Sequence, residues 1–225
     1  EKMLYDNGQL VSLYSDAFLI NKNELYKETV YNTLEFIERE LMHENGGFYA
    51  SLDADSVNEE EELEEGAFYV WKKEELKKII GSDFELFSQY YNINEYGFWE
   101  DDSYNLIRST SDQAFANMHT IAIDDFKKTV DQWKNKLLVE RAKRQPPRLD
   151  DKILTSWNAL MLKGYVDAYR VFNDDHFLDV ALKNASFLEE NIINKDGRLF
   201  RNYKNKKATI NAYLEDYATL IEAYI

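Results

Sequence analysis

The chain has 225 residues, 44% of them hydrophobic and 15% aromatic, which is enough apolar material for a substantial core and excludes wholesale disorder. Its formal charge of -15 is the opposite of what a phosphate backbone attracts, so nucleic acid is not an expected partner. The absence of cysteine excludes disulfides, thiolate metal sites and a cysteine nucleophile within these residues, and fits a reducing, cytoplasmic setting.

No apolar run approaches the roughly 20 residues that span a bilayer, and no basic segment leads into an apolar one as in a signal peptide. A membrane partner is therefore not expected. The histidines His43, His119 and His176 lie out of helical reach of one another, so no metal site and no cofactor are expected.

Taken in order, Leu4, Leu10, Val11, Leu13, Tyr14, Ala17 and Phe18 recur at helical spacing. Asn21 to Asn23 offer an N-cap for a second helix carrying Leu25, Tyr26, Val30, Leu34, Ile37 and Leu41. Gly46-Gly47 stops that helix, and residues 48–52 form an extended exit. Residues of about 54–150 then read as an insertion. Its opening, Asn58 to Glu65, is acidic and reads as an exposed, mobile loop. Calcium binding by Asp53, Asp55 and the neighbouring glutamates is the weaker alternative, since the glycine and closing glutamate of an EF-hand are missing. Ala67 to Trp71 reads as a short strand, with helices over Lys73–Ile80 and Asp83–Tyr91. A long amphipathic helix over Asp124–Arg144 carries Phe126, Val130, Trp133, Leu137 and Leu138, and Pro146-Pro147 ends it. A second helix pair follows, Ile153 to Phe172 and then to Asn191, turning at Asn173-Asp174-Asp175 and leaving through Asp196-Gly197.

The two helix pairs are copies. Asn7, Tyr14, Ala17, Phe36 and Gly46 fall on Asn158, Tyr165, Ala168, Phe187 and Gly197 at a constant offset of 151. A third copy starts near the end, where Ala218, Leu220, Ile221, Ala223 and Tyr224 follow Ala159, Met161, Leu162, Gly164 and Tyr165 at an offset of 59. Such repeats bury a face that the neighbouring copy completes. The expectation is a mainly all-α chain forming one domain over 1–225, a toroid of helix hairpins with short β pieces, interrupted by an α+β insertion. An open solenoid is the alternative.

Acidic and aromatic residues gather at the tips of these hairpins: Tyr5-Asp6-Asn7, Asp53-Ala54-Asp55, Asp150-Asp151 leading to Trp157-Asn158, and Glu215-Asp216-Tyr217. The offsets align Asp6, Trp157 and Asp216 at one place on the inner helices. Capping and favourable dipole placement explain acids there as well as chemistry does. Glycosidic-bond chemistry asks for two carboxyl groups, and aromatic faces suit sugar rings. The candidate catalytic acids are Asp6, Asp53, Asp55, Asp151 and Asp216, and the candidate substrate-binding residues are Tyr5, Asn7, Trp157, Asn158 and Tyr217.

Several segments together carry a resemblance: residues 1–10, with Tyr5-Asp6-Asn7; residues 46–56, with Gly46-Gly47-Phe48-Tyr49; residues 65–71, with Gly66-Ala67-Phe68; residues 150–158; and residues 214–218. In order and spacing the chain resembles the YyaL (spermatogenesis-associated protein 20) family. The resemblance implies the front part of a six-hairpin (α/α)6 toroid related to glycosidases and N-acylglucosamine 2-epimerases, with a covalently linked thioredoxin-like domain upstream. Two functions follow from it. One is a carbohydrate-active module acting on or binding a sugar or glycoside; the other is a non-catalytic binding or scaffold module of a thioredoxin-like fusion protein. Epimerases of the related fold rely on histidines, and none of the three here falls in a matched segment.

Overall fold

A computed structural model describes residues 1–58 and 60–225. The elements run β1 (Lys2–Met3), α1 (Leu4–Asn21), α2 (Glu24–Glu40), β2 (Ser51–Leu52), β3 (Asp55–Val57), β4 (Leu63–Glu65), β5 (Trp71–Lys72), α3 (Lys73–Ile80) and α4 (Phe84–Tyr90). They continue with β6 (Ser103–Tyr104), α5 (Asp112–Met118), α6 (Ile123–Arg141), β7 (Leu149–Asp150), β8 (Ile153–Leu154), α7 (Thr155–Phe172), α8 (Asp175–Asn191), β9 (Phe200–Lys204), β10 (Lys207–Asn211) and α9 (Leu214–Tyr224). The chain divides into two compact units, one of residues 1–53 with 149–225 and one of residues 54–148.

In the first unit the repeat holds residue for residue. α1 and α7 each have 18 residues, and α2 and α8 each have 17. Lys22 and Asn173 close the first helix of each pair in the left-handed region, at φ of 54° and 53°. Asn23 and Asp174 then cap the second helix, each accepting from the backbone N–H two residues on. The exits match as well, with equivalent bridges joining Met42 to Phe48 and Ile193 to Leu199. Gly46 lies at φ +98°, and a Cβ there would stand 2.7 Å from the carbonyl oxygen of Lys183, so both backbone and space require glycine.

The inner helices lie side by side. Tyr5 meets Trp157 at the start of α1 and α7, and Phe18 meets Phe172 at their ends, so the two helices run parallel. α9 packs on the other side of α7, while α2 and α8 pack against α1 and α7 respectively. A common core joins them, including Leu4, Val11, Leu34, Ile37, Phe48, Met161, Tyr165 and Phe187. Two small antiparallel sheets lie where the inner helices begin, one ordered β1-β2-β7 and the other β10-β9-β8. The mainly α-helical class, the hairpins with short β pieces and the α+β insertion are all present, and the first unit is the arc of an α/α toroid. The first helix of the second pair, expected from Ile153, starts at Thr155, because Ile153 and Leu154 pair with β9 just as Lys2 and Met3 pair with β2.

The second unit has its own core around Trp71, Leu76, Phe87, Tyr90, Phe126 and Trp133. Asp124–Arg144 was expected to be one helix; α6 ends at Arg141, and Arg144 takes a different part. Its guanidinium donates to the carbonyl oxygens of Ala67, Phe68 and Val70 and to both oxygens of Glu75, and it lies over the Trp71 ring at 4.1 Å. This explains a correction. Ala67 to Val70 form a turn begun by Gly66 at φ +79° rather than a strand, because Arg144 holds the carbonyls that a ladder would use. Part of the expected acidic loop is strand, since Leu63–Glu65 form β4 of a hairpin with β3. Asn58 organises its turn, with Oδ1 accepting from Glu60 and Glu62 and Nδ2 donating to Glu64. Glu59, which belongs to that expected loop, lies outside the described residues. α5 had no counterpart in the sequence reading.

Candidate functional site

Each inner helix starts from an extended residue, and its second, third and fourth positions recur in the three copies as Tyr5-Asp6-Asn7, Ser156-Trp157-Asn158 and Glu215-Asp216-Tyr217. The alignment of Asp6, Trp157 and Asp216 is thus a structural equivalence. The third residue of one helix leans on the second residue of the helix before it. Trp157 rests against Tyr5 with ring centroids 4.8 Å apart, and Asp216 accepts the backbone N–H of Ser156 at 3.1 Å.

The fourth position receives the exit of the preceding hairpin. Asn158, fully buried, accepts from the Phe48 N–H at 2.8 Å and donates back to the Phe48 carbonyl at 3.0 Å and to that of Leu154 at 2.9 Å. Asn184 donates to both Asn158 Oδ1 and the Gly46 carbonyl. In the third copy the Tyr217 hydroxyl accepts the Leu199 N–H at 3.1 Å. Asn7, in the first copy, donates to the Met3 carbonyl, just as Asn158 does to Leu154.

The acids separate by environment. Asp216 has no exposed surface; besides Ser156 it accepts the Tyr213 N–H at 2.9 Å and a bond from Arg201 at 3.1 Å. Arg201 also pairs with Glu215 at 2.5 Å, and the hydrogen bond to Glu215 leads the influences that raise the guanidinium's pKa. Asp151 is paired with Lys204 at 2.5 Å, which raises the lysine's pKa, and Asp150 with Lys152 at 3.0 Å. Tyr49 is raised too, by burial first and then by the charges of Asp151 and Glu44. Asp53 is half-buried just beyond β2. Because Ser51 pairs with Asp150 and Leu52 with Leu149 in antiparallel register, Asp53 and Asp151 leave the sheet at opposite ends. Asp6 is exposed on the first turn of α1. Asp55 belongs to the second unit, exposed at the start of β3 opposite Glu65.

Arg201, Lys204 and Asn184 were not singled out by the sequence reading. A strand signal was available for the first two: Phe200–Lys204 and Lys207–Asn211 flank Asn205-Lys206, both at positive φ, as in a tight hairpin turn. Among the described residues no group of three or more His, Cys, Asp or Glu is arranged to hold a metal ion. Among them, too, no helix is long and apolar enough to cross a membrane.

No family model matches the chain. Full-length matches are found to an uncharacterized protein, B0495.5, of Caenorhabditis elegans at 32% identity, and to spermatogenesis-associated protein 20 of Homo sapiens at 30%. Each covers 100% of this chain, which spans about a third of these curated relatives: 34% of the first and 32% of the second. Among solved structures the chain is similar to cellobiose 2-epimerase from Bacillus thermoamylovorans B4167, at a TM-score of 0.30 and 11% identity, covering 99% of this chain and 71% of that one. A likeness at that level assigns no chemistry to this chain. The chain is a homologue of a segment of spermatogenesis-associated protein 20, and the resemblance read from its motifs holds over its whole length.

Proposed function

We propose that this segment contributes a sugar-binding surface at the N-terminal ends of its inner helices, in a carbohydrate-active, glycosidase-like protein acting on or binding a sugar or glycoside. The observation carrying this reading is the Tyr5–Trp157 pair: two half-buried rings, 4.8 Å apart and tilted by 60°, at the starts of two parallel helices. Such a pair presents flat apolar surface with polar tips. Asp53 is the acid we assign to chemistry or to hydroxyl recognition, while Asp151 serves as a charged flank. A covalently linked thioredoxin-like domain upstream and a cytoplasmic setting belong to the same proposal.

The test uses the full-length protein, screened by thermal shift against sugars and glycosides, with tryptophan fluorescence as a second readout. A ligand should raise the melting temperature, and Tyr5→Ala and Trp157→Ala should each weaken binding by about tenfold or more, the loss expected for removing a stacking ring. Asp53→Asn should then lower turnover or affinity without lowering the melting temperature.

A second reading, a non-catalytic binding or scaffold module, is favoured by one observation: Asp216 and Asp151 are already committed to Arg201 and Lys204. No shift with any sugar, and none lost in the ring variants, would decide for it.

A further inference from the structure

In the second unit Leu63, Met118 and Val139 are exposed singly, as is usual at a protein surface. Between Asn94 and Tyr104, by contrast, three aromatic rings stand open together: Tyr96 is 65% exposed, and Phe98 and Trp99 are 47% exposed each. Glu95, Glu100, Asp101 and Asp102 are exposed beside them, and residues 94–104 contain no Lys or Arg. The ladder brings Lys72 opposite Ser103, which offsets one of these four charges. The backbone keeps the rings out. Asp101 and Asp102, at φ of 46° and 58°, make a tight hairpin turn closed by the Ser103 N–H on the Glu100 carbonyl at 2.8 Å. The Trp99 N–H donates to the Ser103 carbonyl at 2.9 Å, and the Asn105 N–H to that of Gly97 at 2.8 Å. A Cβ on Gly97 would stand 2.1 Å from the Asn92 carbonyl oxygen, so the chain is closely held there too. Phe98 meets Tyr104 edge to face at 5.8 Å, and Trp99, next in the ladder, points to the other side.

We propose that residues 94–104 form a docking surface for an arginine-rich segment of a partner protein. Guanidinium groups stack on Trp99 from one side of the hairpin and on Phe98 from the other, and Glu95, Glu100, Asp101 and Asp102 meet their charge. Tryptophan and tyrosine anchors ringed by charge are the usual make-up of a protein contact, and a hairpin already fixed loses little freedom on being covered. Charge complementarity selects the occupant. Nucleic acid and anionic lipid headgroups are repelled by the carboxylates. A sugar ring asks for its stacking surface on one side, whereas Phe98 and Trp99 lie on opposite sides. This surface is independent of the Tyr5–Trp157 pair.

The full-length protein is titrated into a fluorescein-labelled peptide of alternating Arg and Ser, and binding is followed by anisotropy. Peptides with Lys or Glu in place of Arg are the comparisons. The Arg peptide should bind saturably, the Lys peptide about threefold or more weakly, because an ammonium lacks the flat stacking face, and the Glu peptide not at all. Trp99→Ala should weaken binding by about tenfold, and Trp99→Tyr should keep most of it. Glu100→Gln, Asp101→Asn and Asp102→Asn together should also cost about tenfold, with Asn tolerated in the left-handed turn. The control removes three exposed acids of α8 by Asp179→Asn, Glu189→Gln and Glu190→Gln, and should change binding far less. Melting temperatures should not move, since all these side chains are exposed. Failure of the Arg peptide to bind, or full binding by Trp99→Ala, would overturn the proposal. Equal losses in the two triple variants would overturn it as well, leaving only attraction to the net charge. Binding to phosphatidylcholine vesicles that Trp99→Ala abolishes, without binding of the Arg peptide, would assign the rings to a lipid surface instead.

Discussion

Gly164 of α7 faces Gly8 of α1 so closely that a Cβ on Gly164 would lie 2.9 Å from the Gly8 carbonyl oxygen. The converse is as tight, since a Cβ on Gly8 would stand 2.8 Å from the Leu160 carbonyl carbon. Alanine in a helix normally gains about 0.5–1 kcal/mol over glycine. Here the obstacle is backbone, which cannot rotate away, so the helices must separate and open the core around Val11 and Met161. We expect Gly8→Ala and Gly164→Ala each to destabilise by about 1–3 kcal/mol, the usual range for overpacking. Urea unfolding checks this; a stabilised variant would mean that the two helices part at little cost.

Asp216 is sealed from solvent and serves as cap, interhelix acceptor and partner of Arg201 at once. Asp216→Asn removes the charge but keeps the shape, leaving Arg201 with only Glu215. Breaking a buried ion pair and weakening a cap together should cost about 2–4 kcal/mol. A lowered melting temperature is therefore the expected result, with any change in ligand affinity no larger than unfolding explains. A stable variant that loses ligand would return Asp216 to the site.

How far the sequence carried depends on which signals were local. The repeat predicted both glycine exits, the turns at Asn21–Asn23 and Asn173–Asp175, and the equivalence of Asp6, Trp157 and Asp216, because backbone geometry repeats wherever its residues do. Surroundings were not legible in the same way. Asp6 and Asp216 share a helical position, yet one is exposed and the other buried, and Asp216 is enclosed by Arg201 and by Ser156 of the preceding inner helix. The stretch Ala67–Trp71 has strand composition, and only Arg144, 73 residues after Trp71, converts it to a turn and a short strand. Asn158 was marked for ligand binding by its place beside Trp157. Its amide is instead spent on Phe48, Leu154 and Asn184.

Arg144 offers a separate test in the second unit. Its planar guanidinium reaches three carbonyl oxygens, both oxygens of Glu75 and the Trp71 ring. A lysine keeps the charge but has neither the fork nor the flat face. Arg144→Lys should destabilise by about 1–3 kcal/mol, as expected when hydrogen bonds to charged groups are lost. Hydrogen exchange should rise first at Ala67–Lys72. Unchanged protection there would show that the turn is held by Gly66 and its own hydrogen bonds.

Alkaline pH should unfold the protein through its buried phenols. Burial is the main cause that raises Tyr165, Tyr90 and Tyr91, with the Glu38 charge adding at Tyr165 and a hydrogen bond to Asp112 at Tyr90; Arg108 opposes at Tyr90 and Tyr91. Tyr91 is pushed up to about 12. A phenol whose proton is held more tightly in the folded state than in the unfolded one contributes stability fully below the unfolded value near 10, and loses it as pH rises toward the folded value. For Tyr91 the rise from 10.0 to about 12 corresponds to about 3 kcal/mol. The urea midpoint should therefore be insensitive to these phenols up to about pH 10 and fall steeply above it, in step with tyrosinate absorbance. Tyr165→Phe should lose about 1 kcal/mol at neutral pH with its bond to Glu38, and should fall less steeply in alkali because one of the titrating groups is gone. A variant whose midpoint tracks the wild type throughout would remove Tyr165 from the alkaline transition.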